Sequence, residues 1–271
     1  MSLRENKYMN DKYEALKRCL HSLGSVAIAF SGGADSTLLL YAAHDELGDN
    51  AVAMTALSSV FPSREKEAAA QFCKTYGIRH ILVDFDVFAV KDFEKNPKNR
   101  CYLCKTALFK QMKSRAAELG FLYIAEGSNM DDMGDYRPGM QAIAELEVIS
   151  PLRIAGLTKK DIYDISRELD LPTSNKPSAA CLASRFAYGE TITEKKLSMI
   201  GNAEQFLLDM GFSQIRVRMH GDMARIETIQ DQMLMVLENR EAIYDHMRAL
   251  GFTYISLDLR GYRTGSMNEV I

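Results

Sequence analysis

The spacing of apolar positions changes period several times along the chain, and each change marks an element. From 10 to 24 the apolar residues Tyr13, Leu16, Leu20 and Leu23 recur at helical spacing, and Gly24 supplies a stop. Ser25 to Phe30 is then an almost uninterrupted apolar run, the pattern of a strand covered on both faces. A glycine turn follows, helical spacing returns from Ser36 to Leu47, and Asn50 to Leu57 is a second apolar strand. The rhythm continues with a helix over Ser63 to Tyr76 and a strand over Ile78 to Val83, then a helix over Leu103 to Leu119 and a strand over Phe121 to Ala125. Such alternation predicts an α/β fold with a doubly wound parallel sheet. Thr158 and Asp161 form a capping box for a further helix through Leu169.

Pro172 to Ser184 is rich in proline and small residues and reads as a linking loop. Beyond it the pattern is helix (Thr193 to Met210), hairpin (Gln214 to Thr228), helix (Gln230 to Leu250) and strand (Thr253 to Asp258), a smaller α+β unit. The expected domains are therefore 1–182 and 183–271.

Composition narrows the classes. The 271 residues carry 33 Lys and Arg against 36 Asp and Glu, so no global positive field recruits nucleic acid or an acidic membrane, and acids also outnumber bases within 183–271. No apolar run approaches the ~18 residues of a membrane span, and MSLRENKYMNDKYEALK lacks the apolar core of a secretory leader. A cytoplasmic protein is expected. Five cysteines are too few and too unevenly spaced for a disulfide scaffold, so they read as thiols or ligands.

Four features carry candidate chemistry. SGGADS, Ser31 to Ser36, lies between a buried strand and a helix start, where free N–H groups and the helix N-terminus converge on an anion, with the Ser31 and Ser36 hydroxyls as added donors. It matches neither the Walker nor the dinucleotide glycine pattern. GSNMDDMGDYRPG, from Gly127 to Gly139, follows a strand and belongs at the same sheet edge. Its Asp131, Asp132 and Asp135 suit Mg²⁺ against phosphate, or equally a plain turn. Cys101 and Cys104, one turn apart at a helix start, can face one ligand, and Cys181 sits on a small-residue loop near Arg185. Structural zinc wants four ligands. Three thiolates suit a 4Fe–4S cluster with one open iron. Cys19 and Cys73 fall on apolar stripes and read as core.

The fourth feature is the hairpin. A two-residue turn at Gly221-Asp222 sets Arg218 opposite Arg225 and Arg216 opposite Glu227, leaving Ile215, Val217, Met219, Ala224 and Ile226 on the other face. Opposed like charges are relieved by a bridging anion or by solvation. Glu204 shares a helical stripe with Leu197, Ile200, Leu207 and Leu208, where a carboxylate needs a partner such as arginine, unless it lies at the helix edge.

The SGGADS loop resembles the pyrophosphate-binding loop of the N-type ATP pyrophosphatases, the PP-loop enzymes. Together SGGADS, GSNMDD with DYRPGM, KPSAACLASR, RVRMHGDMARIE and the terminal GYRTGSMNE resemble the LarE family of ATP-dependent sulfur transferases across nearly the whole chain. That resemblance implies an adenine nucleotide alpha hydrolase-like fold and conversion of pyridinium biscarboxylate mononucleotide to its thiocarboxylate form, for the nickel-pincer cofactor of lactate racemase. It implies ATP and Mg²⁺ at Ser31, Gly32, Gly33, Asp35, Ser36, Gly127 and Asp132, with Asp35 and Cys181 catalytic. It places the substrate at Ser184, Arg185, Arg216, Arg218, Glu204 and Glu227. It offers two sulfur sources, a 4Fe–4S cluster on Cys101, Cys104 and Cys181 or sacrifice of Cys181 itself to dehydroalanine, and retention of the thiol pair favours the first. A homo-oligomer, trimer or hexamer, is implied, with no nucleic acid and no membrane as partner. Ala187 stands where the family often has proline. Competing readings are a tRNA-thiolating PP-loop enzyme, which wants a broad basic face, an ammonia-using synthetase, which needs no paired cysteines, and a non-catalytic ATP-binding module.

Overall fold

The computed structural model describes residues 3–134, 138–177, 180–263 and 265–268. Asp135 lies outside them. The chain forms two compact units, one from Met1–Asp86 with Cys101–Ala179 and the other from Val87–Arg100 with Ala180–Ile271. The second unit thus takes in 87–100, a stretch that the sequence pattern leaves within the first domain.

The first unit runs α1 (Leu3–Leu23), β1 (Val26–Ala29), α2 (Ala34–Leu47), β2 (Ala51–Leu57), α3 (Ser63–Tyr76), β3 (His80–Asp84), α4 (Arg100–Glu118), β4 (Ile124–Ala125), α5 (Pro138–Glu145), α6 (Pro151–Ile154) and α7 (Lys159–Glu168), with Arg100 itself counted in the second unit. The four strands form a parallel sheet in the order β3-β2-β1-β4. Val26, Ala27 and Ile28 are all buried, as a strand covered on both faces requires. Leu16 and Leu20 of α1, Leu39 of α2, Phe72 of α3 and Ile162 of α7 pack into one cluster with β1. The capping box is present, Thr158 Oγ1 accepting from the Asp161 amide and Asp161 accepting from the Thr158 amide. Burial pushes the Cys73 thiol up to about 11, in keeping with a packing role. Among the described residues no helix is long and apolar enough to cross a membrane.

The second unit contains α8 (Glu194–Asp209), β5 (Ile215–His220), β6 (Met223–Thr228), α9 (Met233–Glu238), α10 (Arg240–Leu250) and β7 (Tyr254–Leu257). Its sheet, β5-β6-β7, is mixed, because β5 and β6 are an antiparallel hairpin while β7 returns parallel to β6. The hairpin register pairs Arg218 with Arg225 and Arg216 with Glu227. The single helix expected over 230–250 is broken at Asn239, whose side chain donates to the Met235 carbonyl at 2.9 Å and so closes α9 before α10 begins.

Segment 87–100 joins this unit through Asn96. That residue is fully buried and holds a left-handed backbone with φ of 51°, a conformation asparagine tolerates better than other non-glycine residues. Its Nδ2 donates to the Ala187 carbonyl at 2.6 Å, its Oδ1 accepts from Arg100, and its own carbonyl accepts from the Gly189 amide at 2.9 Å. The Ile192 amide adds a bond to the Glu94 carbonyl at 2.8 Å, and the Arg100 guanidinium lies 5.8 Å from the Tyr188 ring centre. Asn96→Ala strips these side-chain bonds from a buried position. It is expected to cost about 2 kcal/mol in urea unfolding followed by circular dichroism, and an unchanged midpoint would mean that 87–100 is held by something else.

Candidate functional site

The strand order decides where the first unit can bind a ligand. The chain moves outward from β1 to β2 and β3, then crosses to the other side of β1 for β4, so the loops leaving β1 and β4 diverge at a topological switch point. SGGADS leaves β1 there and enters α2, and Gly127 follows β4. A Cβ added to Gly127 would lie 3.0 Å from the Ser36 amide nitrogen and 3.2 Å from the Asp35 Cβ, so only glycine lets the two loops approach this closely.

Within the loop, Gly32 has φ of +73°, and a Cβ there would meet the Glu65 carbonyl oxygen at 3.0 Å. The first helical bond of α2 runs from the Thr37 amide to the Gly33 carbonyl at 2.9 Å, so the amides of Ala34, Asp35 and Ser36 precede the intrahelical ladder and face the N-terminal end. The hydroxyls of Ser31 and Ser36 lie 3.1 Å apart, and Ser36 Oγ donates to the Gly33 carbonyl at 3.1 Å. A left-handed glycine, paired hydroxyls and a free first turn fit a phosphate chain.

Asp35 is held on both oxygens at this edge. Its Oδ2 pairs with Lys159 Nζ at 2.5 Å and its Oδ1 accepts from Asn129 Nδ2 at 3.1 Å. Asp132 accepts from the Asn129 amide at 2.9 Å, and Asp131 accepts from the Lys159 amide at 2.7 Å. Both carboxylates thus take part in turn and helix-end bonding. Behind the loop, Lys176 Nζ contacts the Gly32 carbonyl and Glu65. Asn129, Lys159, Glu65 and Lys176 were not singled out by sequence pattern. Asn129 alone left a signal, its place in the GSN run beside Gly127, whereas the others look like ordinary charges on helices and loops.

The thiols divide between the units. Cys101, in the first turn of α4, and Cys104, at the start of its second, lie in the first unit. The neighbouring α5 packs so closely on α4 that a Cβ on Gly139 would come within 2.7 Å of the Lys105 stem. Cys181 belongs to the second unit. Among the described residues no three His, Cys, Asp or Glu side chains form a group arranged to hold a metal ion, and no step is derived through a cluster.

Around Cys181 the second unit is built with charge. Residues 182–185 make one short helical turn. The Cys181 carbonyl accepts from the Ser184 amide at 3.0 Å, Ser184 Oγ at 2.8 Å and Arg185 Nη1 at 3.2 Å. Arg185 Nη1 also donates to the Ala180 carbonyl, while Nε and Nη2 form a bidentate pair with Glu204 at 2.8 and 2.9 Å. Glu204 therefore has the arginine partner that its apolar stripe demanded, and it accepts from the Val217 amide at 3.0 Å as well. Burial pushes the Glu204 carboxyl up, but the Arg185 charge and hydrogen bonds outweigh burial and leave it below its ordinary value.

On the hairpin the opposed arginines are bridged by an anion of the chain itself. Glu227, with no exposed surface, takes Arg218 on one oxygen at 3.0 Å and Arg225 on the other at 2.9 Å. Arg218 also donates to the Ser184 carbonyl at 3.1 Å and to Ser266 Oγ at 3.2 Å, which ties the hairpin to the Cys181 turn. Arg216 stacks 5.3 Å from the Tyr262 ring centre. Burial, and then the neighbouring Arg185 charge, pull its pKa below the usual guanidinium value. A phosphate brought to Arg216 would oppose both effects.

A switch-point loop of this form, on a parallel 3-2-1-4 sheet, is a phosphate-binding arrangement, and comparison with known proteins makes the chain a PP-loop ATP pyrophosphatase. The matches also give the particular branch. The family described as queuosine biosynthesis protein QueC matches residues 25–97. Pyridinium-3,5-bisthiocarboxylic acid mononucleotide synthase of Lactiplantibacillus plantarum is 34% identical over 96% of this chain and 95% of its own. An uncharacterized protein of Synechocystis is 41% identical over 97% of this chain and 99% of its own. The B subunit of the glutamine-hydrolyzing GMP synthase of Thermoplasma volcanium is 23% identical over 65% of this chain and 61% of its own. The chain belongs to the LarE-like family of PP-loop enzymes.

Glu204→Gln leaves the buried Arg185 charge without its counter-ion, at an expected cost of about 3 kcal/mol at neutral pH. Because the folded-state pKa is depressed, the wild-type advantage is complete above the ordinary glutamate value of 4.5 and is lost as pH falls through the lower folded value. Unfolding curves of the two proteins are expected to converge in acid. A gap that persists undiminished would contradict the assignment.

Proposed function

We propose that the protein is an ATP-dependent sulfur transferase that adenylates a carboxylate of pyridinium-3,5-biscarboxylate mononucleotide and converts it to the thiocarboxylate. The whole-length match to a synthase of the bisthiocarboxylic product carries this reading, and the support given to Cys181 by Ser184 and Arg185 agrees with it. Ser31, Gly32, Gly33, Ser36 and Gly127 cradle the ATP phosphates, while Asp35 and Asp132 are the acids offered to Mg²⁺. Arg216 and Arg218, with Ser184 and Arg185, receive the substrate phosphate. Glu204 and Glu227 hold those arginines in place.

A carboxylate oxygen of the substrate attacks the α-phosphorus, the bond to the β-phosphate oxygen breaks, and pyrophosphate leaves. The resulting acyl-adenylate has AMP as a leaving group where the carboxylate had only oxide. Sulfur then attacks the carbonyl carbon and AMP departs. If the sulfur is that of Cys181, a thioester forms. Loss of the Cys181 Cα proton with cleavage of its Cβ–S bond then releases the thiocarboxylate and leaves dehydroalanine, with no external electron donor.

The alternative source, a cluster sulfide held through Cys101, Cys104 and Cys181, is favoured by the thiol pair at the start of α4. Both routes need Cys181. Assembly as a trimer or hexamer belongs to the same reading.

Pyrophosphate release is expected only when the pyridinium mononucleotide is present with ATP. Cys181→Ala should keep that release and lose the thiocarboxylate product. Substrate-independent or absent release would remove the adenylation reading. Anaerobic iron analysis beside the intact mass after one turnover separates the sulfur sources. About four retained irons, lost in Cys104→Ala, indicate the cluster, and loss of the elements of hydrogen sulfide from an iron-free chain indicates sacrifice.

A further inference from the structure

We infer that Lys176 is a positioning residue for the pyrophosphate loop, acting through the peptide between Gly32 and Gly33. The inference rests on the nucleotide reading above and extends it to a side chain that this reading leaves unused. Lys176 Nζ donates to the Gly32 carbonyl at 2.9 Å. A trans peptide holds its C=O and N–H in one rigid plane, pointing in opposite directions, so fixing that oxygen also fixes the Gly33 N–H. The Gly33 nitrogen lies 3.4 Å from Ser31 Oγ, on the side of the paired Ser31 and Ser36 hydroxyls, which is where an anion would be met.

Two glycines need such a brace. With no Cβ on either residue, the peptide between them has little intrinsic preference for one orientation, and the flipped form would present a carbonyl oxygen to the phosphates in place of an amide. Lys176 is itself anchored at both ends. Its ammonium pairs with buried Glu65, on the first turn of α3, at 2.7 Å, and its carbonyl accepts from Tyr163 Oη at 2.9 Å. Glu65 is tied to the same place, since its own carbonyl is the atom a Cβ on Gly32 would strike. Glycine loop, lysine and glutamate thus form one stack, with the lysine between the loop and a buried carboxylate. Arg64 lies 3.6 Å from the other Glu65 oxygen.

The test is calorimetric titration of the full chain with magnesium pyrophosphate and, separately, with adenosine, for wild type, Lys176→Met, Lys176→Arg and the double variant Lys176→Met/Glu65→Gln. Lys176→Met should weaken pyrophosphate binding about tenfold, the loss of roughly one hydrogen bond to a charged group, and leave adenosine binding unchanged. Lys176→Arg should restore most of the pyrophosphate affinity. Hydrogen exchange at the Gly33 amide of the ligand-free Lys176→Met protein should accelerate. The double variant should bind pyrophosphate as weakly as Lys176→Met. Recovery there would trace the effect to repulsion by an uncovered Glu65 and overturn the inference, as would equal pyrophosphate affinity in wild type and Lys176→Met or a parallel loss of adenosine binding. Wild type that binds neither ligand would instead remove the nucleotide reading itself.

Discussion

A central parallel strand covered on both faces has no room for chemistry along its length, and the first unit is organised by that constraint. Val26, Ala27 and Ile28 carry no polar side chain because none could be solvated there. Polar groups therefore collect where β1 ends, and the reversal of strand order between β2 and β4 places a second loop beside the first. Every close approach at that edge, Gly127 against Ser36 or Gly32 against α3, follows from two backbones sharing one narrow exit. Lysines then stabilise the acids that crowd in with them.

The second unit solves a different problem, burying several arginines without leaving their charge uncompensated. Arg185 and Arg218 are each nearly inaccessible, and a low-dielectric interior tolerates a cation only with a matched, hydrogen-bonded anion. Glu204 and Glu227 meet that requirement. The consequence reaches the backbone, because a guanidinium held on one side by a bidentate carboxylate has its remaining donors aimed at fixed points, here the carbonyls of Ala180 and Cys181. The charge network thereby sets the path of the chain at Cys181. Arg185, which the family resemblance places at the substrate, is also the group that shapes the thiol's turn.

What could be read from sequence was what local pattern determines. The hairpin register followed from one Gly-Asp turn and strict alternation, and the capping box from two residues three apart. The SGGADS turn was legible because its glycines fall between an apolar strand and the return of helical spacing. Glu204 was legible as a charge in an apolar stripe. Three features were not. Segment 87–100 has no periodicity, and the bonds that assign it to the second unit reach across some ninety residues to Ala187 and Gly189. Lys159 and Lys176 are single lysines whose partners lie 124 and 144 residues away, and nothing local separates them from solvated ones. Glu227 lies opposite Arg216, yet it reaches diagonally to Arg218 and along its own strand to Arg225, a choice made by side-chain reach and burial rather than by register.

Because 87–100 belongs with 180–271, neither unit is an unbroken length of polypeptide. During synthesis Asn96 leaves the ribosome long before Ala187 and must wait, its left-handed turn unsupported, while the helix carrying Cys101 and Cys104 is made. The same interlacing forbids simple dissection. A fragment cut at the loop before Cys181 would carry a buried asparagine turn stripped of its partners, and the complementary fragment would lack the strap that completes its fold.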